Sequence, residues 1–182
     1  MENIDKIFFI NLDYRTDRLE EITNELETYN FPKDKIERFP AIKFEKDGII
    51  QPDVGCAKSH LEILKMSLQK GYENILILED DFKFIKEKWD GDQYIFSKPE
   101  DVINNALEQL QNIEWDILYF AYRPKLPVEF IDYKQITKNV FQCISQVWGN
   151  AYGMNNKLYD FILKNDPTGK IAGIDQYYSK YL

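Results

Sequence analysis

The sequence has few of the residues that form disulfide frameworks or structural metal sites. Among 182 residues there are two cysteines, Cys56 and Cys143, and a single histidine, His60. Structural zinc sites are built mainly from four Cys or His ligands, so these counts nearly exclude one, and they leave no disulfide framework. Arginine is also scarce, since only four arginines stand beside nineteen lysines.

The sequence also lacks a long hydrophobic run and an excess of positive charge. No apolar run is long enough to span a bilayer, and residues 1–5 are acidic, unlike the basic start of a signal peptide. We therefore expect a soluble, cytoplasmic protein. The net charge of −8 argues against nucleic acid or an anionic membrane as the main partner, because both require a basic surface. A ligand that carries phosphate would need a metal ion and a few well-placed cations.

The pattern of apolar residues predicts one α/β domain over residues 1–182. Its length suits a single domain, and 44% hydrophobic residues fit a globular core. Strands are predicted at residues 6–12, 36–42, 74–78, 116–122 and 140–147. Helical patterns lie at residues 17–26, 53–70, 97–113 and 157–163. This alternation favours a mostly parallel sheet flanked by helices.

Capping residues and turn signals predict where several of these elements end. Asp17, with Glu20 at the capping-box position, is predicted to cap the first helix, and Asp53 the second. Gly71 is predicted to end the second helix. Residues 82–96 show no clean period and predict a long irregular loop. The buried face of the second helix is predicted to comprise Ala57, Leu61, Leu64 and Leu68.

Three consecutive acids follow the most strongly predicted strand. The Ile/Leu run at residues 74–78 predicts a strand buried on both faces, and Glu79, Asp80 and Asp81 come directly after it. Ligands of open α/β sheets bind beyond the carboxyl ends of the strands, so we expect Glu79 and Asp81 to point into that crevice together. Mn²⁺ or Mg²⁺ would relieve their mutual repulsion. The alternative is a solvated acidic turn.

Two of the four arginines lie just past the first predicted strand. If the two strands are parallel, Arg15 and Arg18 leave the same sheet edge as the acids and could contact a diphosphate. Asn11 and Asp13 could then bond a base or a ribose. The alternative is a polar turn in which Asp17 caps the helix and Arg18 is solvated.

Cys56, Ser59 and His60 lie within about one turn of the second predicted helix. A Cys–His nucleophile is disfavoured, because this spacing on one helix offers no third group to orient the imidazole. Cys56 is therefore expected to pack in the core. His60 is either a satisfied interior histidine or a hydrogen-bonding group at the ligand crevice.

Several common catalytic and nucleotide-binding signatures are absent from the sequence. There is no G-x-x-x-x-G-K-[ST], no G-x-G-x-x-G and no G-x-S-x-G, which removes the P-loop, dinucleotide-binding and α/β-hydrolase classes. A response-regulator receiver would need an aspartate where Ala121 stands. A haloacid-dehalogenase-type phosphatase would need Thr or Ser within residues 82–85, and none occurs there.

Three segments in order resemble glycosyltransferase family 25, which includes lipopolysaccharide glycosyltransferases and collagen galactosyltransferases. They are residues 9–19 (FINLDYRTDRL), 55–61 (GCAKSHL) and 77–81 (ILEDD), with weaker likeness at 148–153 and 173–175. The resemblance implies a GT-A fold with a Rossmann-like sheet, a UDP-sugar donor, Mn²⁺ or Mg²⁺, and transfer with inversion. Family members usually continue well beyond the position of Leu182, so part of the acceptor site is expected to be missing or supplied by another chain.

The function implied by this resemblance is transfer of galactose or glucose from a UDP-sugar to a hydroxyl group of a glycan or protein. The acids read Glu-Asp-Asp instead of Asp-x-Asp, so Asp80 and Asp81 both remain candidates for the metal. Asp175, between a glycine and an aromatic pair, is expected to be the catalytic base; the alternative is a helix N-cap. The competing function is a catalytically silent module that binds nucleotide sugar or glycan. The residues expected to bind the donor are Asn11, Asp13, Arg15, Arg18, Ser59, His60 and Glu79.

Overall fold

The computed structural model describes residues 1–83, 87–89, 94–96, 99–120, 133–138, 140–143, 150–166, 168, 174 and 178. Its main sheet has five strands, which are β1 Lys6–Asn11, β2 Ile36–Pro40, β5 Asn74–Glu79, β8 Ile117–Tyr119 and β11 Ala151–Asn155. They are hydrogen-bonded in the order β2-β1-β5-β11-β8. The α-helices with described bounds are α1 Thr16–Thr28, α2 Pro52–Lys70, α3 Pro99–Gln109 and α4 Tyr159–Lys164.

The central strands run mostly in one direction. β1 pairs in parallel with both β2 and β5, whereas β11 is antiparallel to both β5 and β8. β8 therefore runs the same way as β5. The predicted Rossmann-like, mostly parallel α/β sheet is confirmed, and β11 is its one reversed strand.

Hydrophobic cores cover both faces of this sheet. Alternate residues of β1 and β5 point to opposite faces, because successive side chains in a strand alternate. Phe8 and Ile77 pack with α2 and α4, whereas Phe9 and Leu78 pack with α1 and α3. Burial on both sides explains why β5 reads as an unbroken Ile/Leu run.

β11 was missed by the sequence pattern although it is central in the sheet. Its residues Ala151 to Met154 are buried, but Gly153 interrupts the β-favouring residues that usually mark a strand. The ring of Trp115 lies against the Gly153 backbone, 3.5 Å from where a Cβ would stand. The glycine thus makes room for an aromatic ring, which local propensity does not show.

Three hairpins lie outside the main sheet. β3 Glu45–Lys46 and β4 Ile49–Ile50 are joined through Asp47 and Gly48, both in the left-handed region at φ of 54° and 75°. β6 Glu87–Trp89 pairs with β7 Tyr94–Phe96, so the prediction of a wholly irregular loop at residues 82–96 is wrong. β9 Tyr133–Gln135 pairs with β10 Phe141–Cys143. β10 lies within the strand predicted at residues 140–147, of which residues 144–147 are outside the described part of the chain.

The predicted helix caps are only partly correct. Arg15, not Asp17, is the N-cap of α1, and Gln51, not Asp53, is the N-cap of α2; neither makes a side-chain capping bond. Both aspartates instead lie in the first helical turn, where a negative charge favours the helix dipole. Gly71 does end α2, at φ 69°.

The buried face of α2 differs from the predicted one. Leu68 is 44% exposed, while the polar residues His60 and Ser67 are fully buried. Ala57 and Leu64 are buried as predicted, but the apolar pattern was wrong for Leu68 and did not reveal the polar groups that α2 also buries. Among the described helices, none combines the length and the apolar content required to cross a bilayer.

Candidate functional site

Asn11, the last residue of β1, is the centre of a polar cluster at the carboxyl edge of the sheet. Its side-chain amide nitrogen donates to Asp80 Oδ2 at 2.8 Å and to the Arg15 carbonyl at 3.1 Å. Its amide oxygen accepts a hydrogen bond from Arg38 Nε at 3.0 Å. Asn11 is buried, and these three bonds satisfy its amide. Its contacts within the protein therefore hold three segments of the site together.

Arg18 joins the first helix to the acids that follow β5. Its Nη1 donates to Asp80 Oδ1 at 2.9 Å and lies 3.5 Å from Asp81 Oδ2. Asp80 is buried and has a partner on each oxygen, whereas the Asp81 side chain is 50% exposed. The structure thus brings Arg18, Asp80 and Asp81 together as the sequence predicted.

Arg38 belongs to the same cluster and was missed by sequence reasoning. Besides its bond to Asn11, its Nη2 donates to Asp13 Oδ1 at 2.7 Å. Two features of the sequence could have indicated Arg38: it is one of only four arginines, and it lies in the predicted strand that follows β1 along the chain. Its place in the cluster depends on the pairing of β1 with β2, which sequence alone did not give.

Arg15 is held apart from this cluster by a neighbouring acid. Its Nε and Nη2 bind both oxygens of Asp17 at 2.7 to 3.2 Å. The hydrogen bond from Arg15 lowers the pKa of Asp17 to about 2, and the same bond raises the pKa of Arg15. Arg15 would have to exchange Asp17 for a diphosphate in order to bind one.

His60 is the centre of a second, buried cluster beneath the first. Its Nδ1 lies 2.7 Å from the hydroxyl of Tyr152, which in turn lies 3.2 Å from the hydroxyl of Tyr178. Its Nε2 lies 3.5 Å from Glu79 Oε1, and the Cys56 sulfur lies 3.6 Å from the same oxygen. The expectation that Cys56 packs in the core is wrong, since this residue of α2 is only partly buried and its sulfur faces Glu79. The imidazole does have an orienting group, Tyr152, contributed by the strand that the sequence pattern missed.

Ser59 connects α2 to the segment after β2. Its hydroxyl donates to the Gly55 carbonyl and accepts from the Ile42 backbone N–H, both at 2.8 Å. A Cβ on Gly55 would collide with the Ile42 carbonyl oxygen, so glycine is required for this close approach. Gly55 and Ser59 therefore fix the position of α2, which carries Cys56 and His60 to the sheet edge.

The three consecutive acids have different partners: Glu79, the last residue of β5, lies at His60 and Cys56, whereas Asp80 and Asp81 lie at Arg18. The Phe82 backbone N–H bonds to the Glu79 carbonyl at 3.1 Å, so the chain turns here and the alternation expected of an extended strand stops. Burial opposes ionisation of Glu79, but His60 and then Cys56 outweigh it and lower the pKa of Glu79. Burial, then the Glu79 charge, raises the pKa of Asp81. Asp81 therefore carries negative charge that its surroundings do not fully compensate.

A hard divalent cation fits Asp81 better than Asp80. Asp80, Asp81 and Asp13 share two guanidinium groups, from Arg18 and Arg38, and this excess of negative charge would repel a diphosphate. Mg²⁺ and Mn²⁺ commonly bind through one or two carboxylates together with substrate phosphates. Asp81 is accessible for that, whereas both oxygens of Asp80 accept hydrogen bonds from Asn11 and Arg18.

Asp175, the predicted catalytic base, lies outside the described residues. A groove of about 560 Å³ is lined by Asp5, Asn74 and Asn155, at the opposite edge of the sheet. Because ligands of open α/β sheets bind beyond the carboxyl ends of the strands, the groove is a poor candidate for the same function.

The sheet has helices on both faces and charged groups beyond its carboxyl edge, as in the Rossmann-like α/β domains to which the GT-A fold belongs. The chain belongs to glycosyltransferase family 25. The sequence model of that family, described as glycosyltransferase family 25 (LPS biosynthesis protein), matches residues 30–164, well over half of the chain. The family predicted from the three segments is thus confirmed.

Curated relatives carry the same family name or name a galactosyltransferase. The chain is 24% identical to a glycosyltransferase 25 family member of Drosophila pseudoobscura pseudoobscura over 96% of its length. It is 22% identical to procollagen galactosyltransferase 1-B of Xenopus laevis over 96% of the present chain. It is 21% identical to human procollagen galactosyltransferase 2 over 95% of the present chain. The chain spans only 29–30% of the length of these relatives.

Proposed function

We propose that this chain is a metal-dependent glycosyltransferase that moves a hexose from a UDP-sugar to a hydroxyl group of a glycan or protein, with inversion. Membership of family 25 supports the reaction class, and the relatives named procollagen galactosyltransferase support galactose as the sugar. The observation that carries the proposal is the cluster around Asn11 at the carboxyl ends of β1 and β5, where a nucleotide is expected in this fold.

The two arginines of the cluster suit the diphosphate of the donor, provided that a metal ion offsets the excess of negative charge. Arg18 and Arg38 are fixed by hydrogen bonds to Asp80 and Asn11, so their guanidinium groups are ordered in advance. Arg15 would reach the diphosphate by leaving Asp17. Asp13 is exposed at the edge and suits the ribose hydroxyls.

The interior residues would support the donor from beneath. Glu79 and His60 lie at the end of β5, and Ser59 holds α2 in place. A Mn²⁺ or Mg²⁺ ion at Asp81, and at Asp80 if Arg18 moves aside, would neutralise the charge of the leaving UDP.

Asp175 is proposed as the general base of the reaction. It would remove the proton from the acceptor hydroxyl while that oxygen attacks the anomeric carbon, from the face opposite the leaving UDP. The new bond joins the acceptor oxygen to the sugar, and the bond between the sugar and the diphosphate breaks. The configuration at the anomeric carbon is thereby inverted.

A catalytically silent module that binds nucleotide sugar or glycan is the second candidate. The hydrogen bonds that Asn11 makes to Asp80 and to the Arg15 carbonyl hold the cluster in place without a ligand. A cluster that is held in this way would bind a nucleotide whether or not turnover follows. Measurement of UDP release from UDP-galactose and UDP-glucose with Mn²⁺ separates the two candidates. Steady release with an acceptor supports the transferase, and saturable binding without release supports the module. Absence of both binding and release would refute both candidates. The cytoplasmic location expected from the sequence stays a prediction.

A further inference from the structure

Cys56, His60 and Glu79 place a sulfur, a nitrogen and an oxygen within 4.8 Å of one another at the end of β5. We propose that these three side chains bind a transition-metal ion, with Zn²⁺ as the best fit. This site is separate from the hard-cation site at Asp81, and it does not depend on the proposed transferase activity.

Two of the three distances between these atoms, the two to Glu79 Oε1, match the edges of a tetrahedral zinc site, and the third, from sulfur to nitrogen, is below 4.8 Å. With bonds of about 2.3 Å to sulfur and about 2.1 Å to oxygen, tetrahedral angles place these two atoms about 3.6 Å apart. A nitrogen and an oxygen, each bound at about 2.1 Å, lie about 3.4 Å apart in the same geometry. The observed distances to Glu79 Oε1 are 3.6 Å from Cys56 Sγ and 3.5 Å from His60 Nε2. An ion therefore fits without a large rearrangement.

The imidazole of His60 is oriented as a metal ligand. His60 is fully buried, and within the described part of the chain its Nε2 makes no hydrogen bond although it points toward Glu79. A buried nitrogen without a partner is costly, and a metal bond would satisfy it. Metal-binding histidines usually donate a hydrogen bond from their other ring nitrogen, and His60 Nδ1 lies 2.7 Å from Tyr152 Oη. The Tyr152 hydroxyl also lies within hydrogen-bonding distance of the Tyr178 hydroxyl, at 3.2 Å.

The ligand types and charges favour zinc over manganese or magnesium. A Cys56 thiolate and a Glu79 carboxylate together balance the two positive charges of the ion, and Cys56 would release its thiol proton to solvent on binding. Sulfur and imidazole ligands suit Zn²⁺, whereas Mg²⁺ and Mn²⁺ prefer oxygen. Two cysteines and one histidine exclude a site of four such ligands, but a carboxylate completes a three-ligand site.

The proposed site also has a route for an ion and room for a fourth ligand. The Glu79 side chain is 32% exposed at the sheet edge, so an ion can enter from solvent. Three protein ligands leave one tetrahedral position for water or another small ligand.

Metal titration of the purified full chain tests the proposal directly. Competition against a chromophoric chelator should show one Zn²⁺ per chain with a Kd below about 1 μM. Substituting Co²⁺ should produce visible bands of a tetrahedral ion together with a thiolate-to-cobalt charge-transfer band. A tenfold excess of Mn²⁺ should not displace the zinc. Failure to bind zinc, or a cobalt spectrum without the thiolate band, would overturn the proposal.

Variants assign the site to its residues. Cys56→Ser should remove the charge-transfer band and weaken Zn²⁺ by at least about a hundredfold, while the matched Cys143→Ser should retain both. Tyr152→Phe removes only the hydroxyl behind His60 and should weaken Zn²⁺ by about 10- to 100-fold while keeping the band. Circular dichroism checks the fold of each variant. Unchanged zinc affinity in a folded Cys56→Ser protein would refute the site.

Discussion

The side chains of Asn11 and Asp80 are joined by a buried 2.8 Å hydrogen bond, although 69 residues separate them in the sequence. The bond links the ends of β1 and β5, the two parallel strands at the centre of the sheet. Because Arg18 and Arg38 also bind this pair, it determines where the cations of the candidate site lie.

Removal of the Asn11 amide should destabilise the fold. Asn11→Ala leaves Asp80 Oδ2 and Arg38 Nε without their hydrogen-bond partner, and each such loss costs about 1–3 kcal/mol. The free energy of unfolding, measured in urea, should therefore fall by at least that amount. Asn24→Ala, at an exposed position of α1, is the matched control and should change it by less than about 0.5 kcal/mol. Equal effects of the two substitutions would contradict the buried cluster.

Binding of UDP should depend on a divalent metal held by Asp81. UDP should raise the melting temperature clearly more with Mn²⁺ than with a chelator, because a ligand of the native state stabilises it. Asp81→Asn should abolish this difference and leave the fold intact. Asp160→Asn, an exposed charge-matched control on α4, should retain it. Equal stabilisation by UDP with and without metal would rule out the proposed metal role.

Arg15 should contribute to diphosphate binding and much less to nucleoside binding. A charge-assisted hydrogen bond is worth about 1.5–3 kcal/mol, so Arg15→Ala should weaken UDP roughly ten- to a hundredfold and uridine far less. Asp17→Asn releases the Arg15 side chain and should keep or tighten UDP affinity. Calorimetric titration measures these affinities, and an equal loss for both ligands in Arg15→Ala would place Arg15 outside the site.

The ion pair between Arg15 and Asp17 should also keep the Asp17 carboxyl ionised at acidic pH. The pKa of Asp17 is lowered to about 2 in the folded protein, below the usual value of about 3.9. The pair's small contribution to stability is therefore present above the ordinary pKa and is lost as the pH falls through about 2. NMR titration of the Asp17 carboxyl carbon should show this low pKa, and Arg15→Ala should return it toward the ordinary value. An ordinary pKa in the unaltered protein would show that the pair does not form in solution.

Asp175 should act in transfer and not in donor binding. Asp175→Asn keeps a side chain able to cap a helix, so stability and UDP affinity should be preserved while transfer falls by about a hundredfold or more. Steady-state transfer rates at saturating donor measure this effect, with Asp160→Asn as the control. Near-normal transfer would return Asp175 to the role of a helix cap.

The sequence alone determined the family, the α/β class and the edge of the sheet at which the charged residues lie. It could do so because β1 and β5 are buried on both faces, so each reads as an apolar run that ends in polar residues. Gly71 likewise marked the end of α2, since a left-handed backbone favours glycine.

Only the tertiary structure decided which polar groups contact each other. Arg38 joins Asn11 because β2 pairs with β1, and Tyr152 reaches His60 because the unrecognised strand β11 lies beside β5. Asp80 and Asp81 both reach Arg18 where the chain turns after Glu79. These contacts depend on strand order and on turns between distant segments, and hydrophobic periodicity reports only on which residues are buried locally.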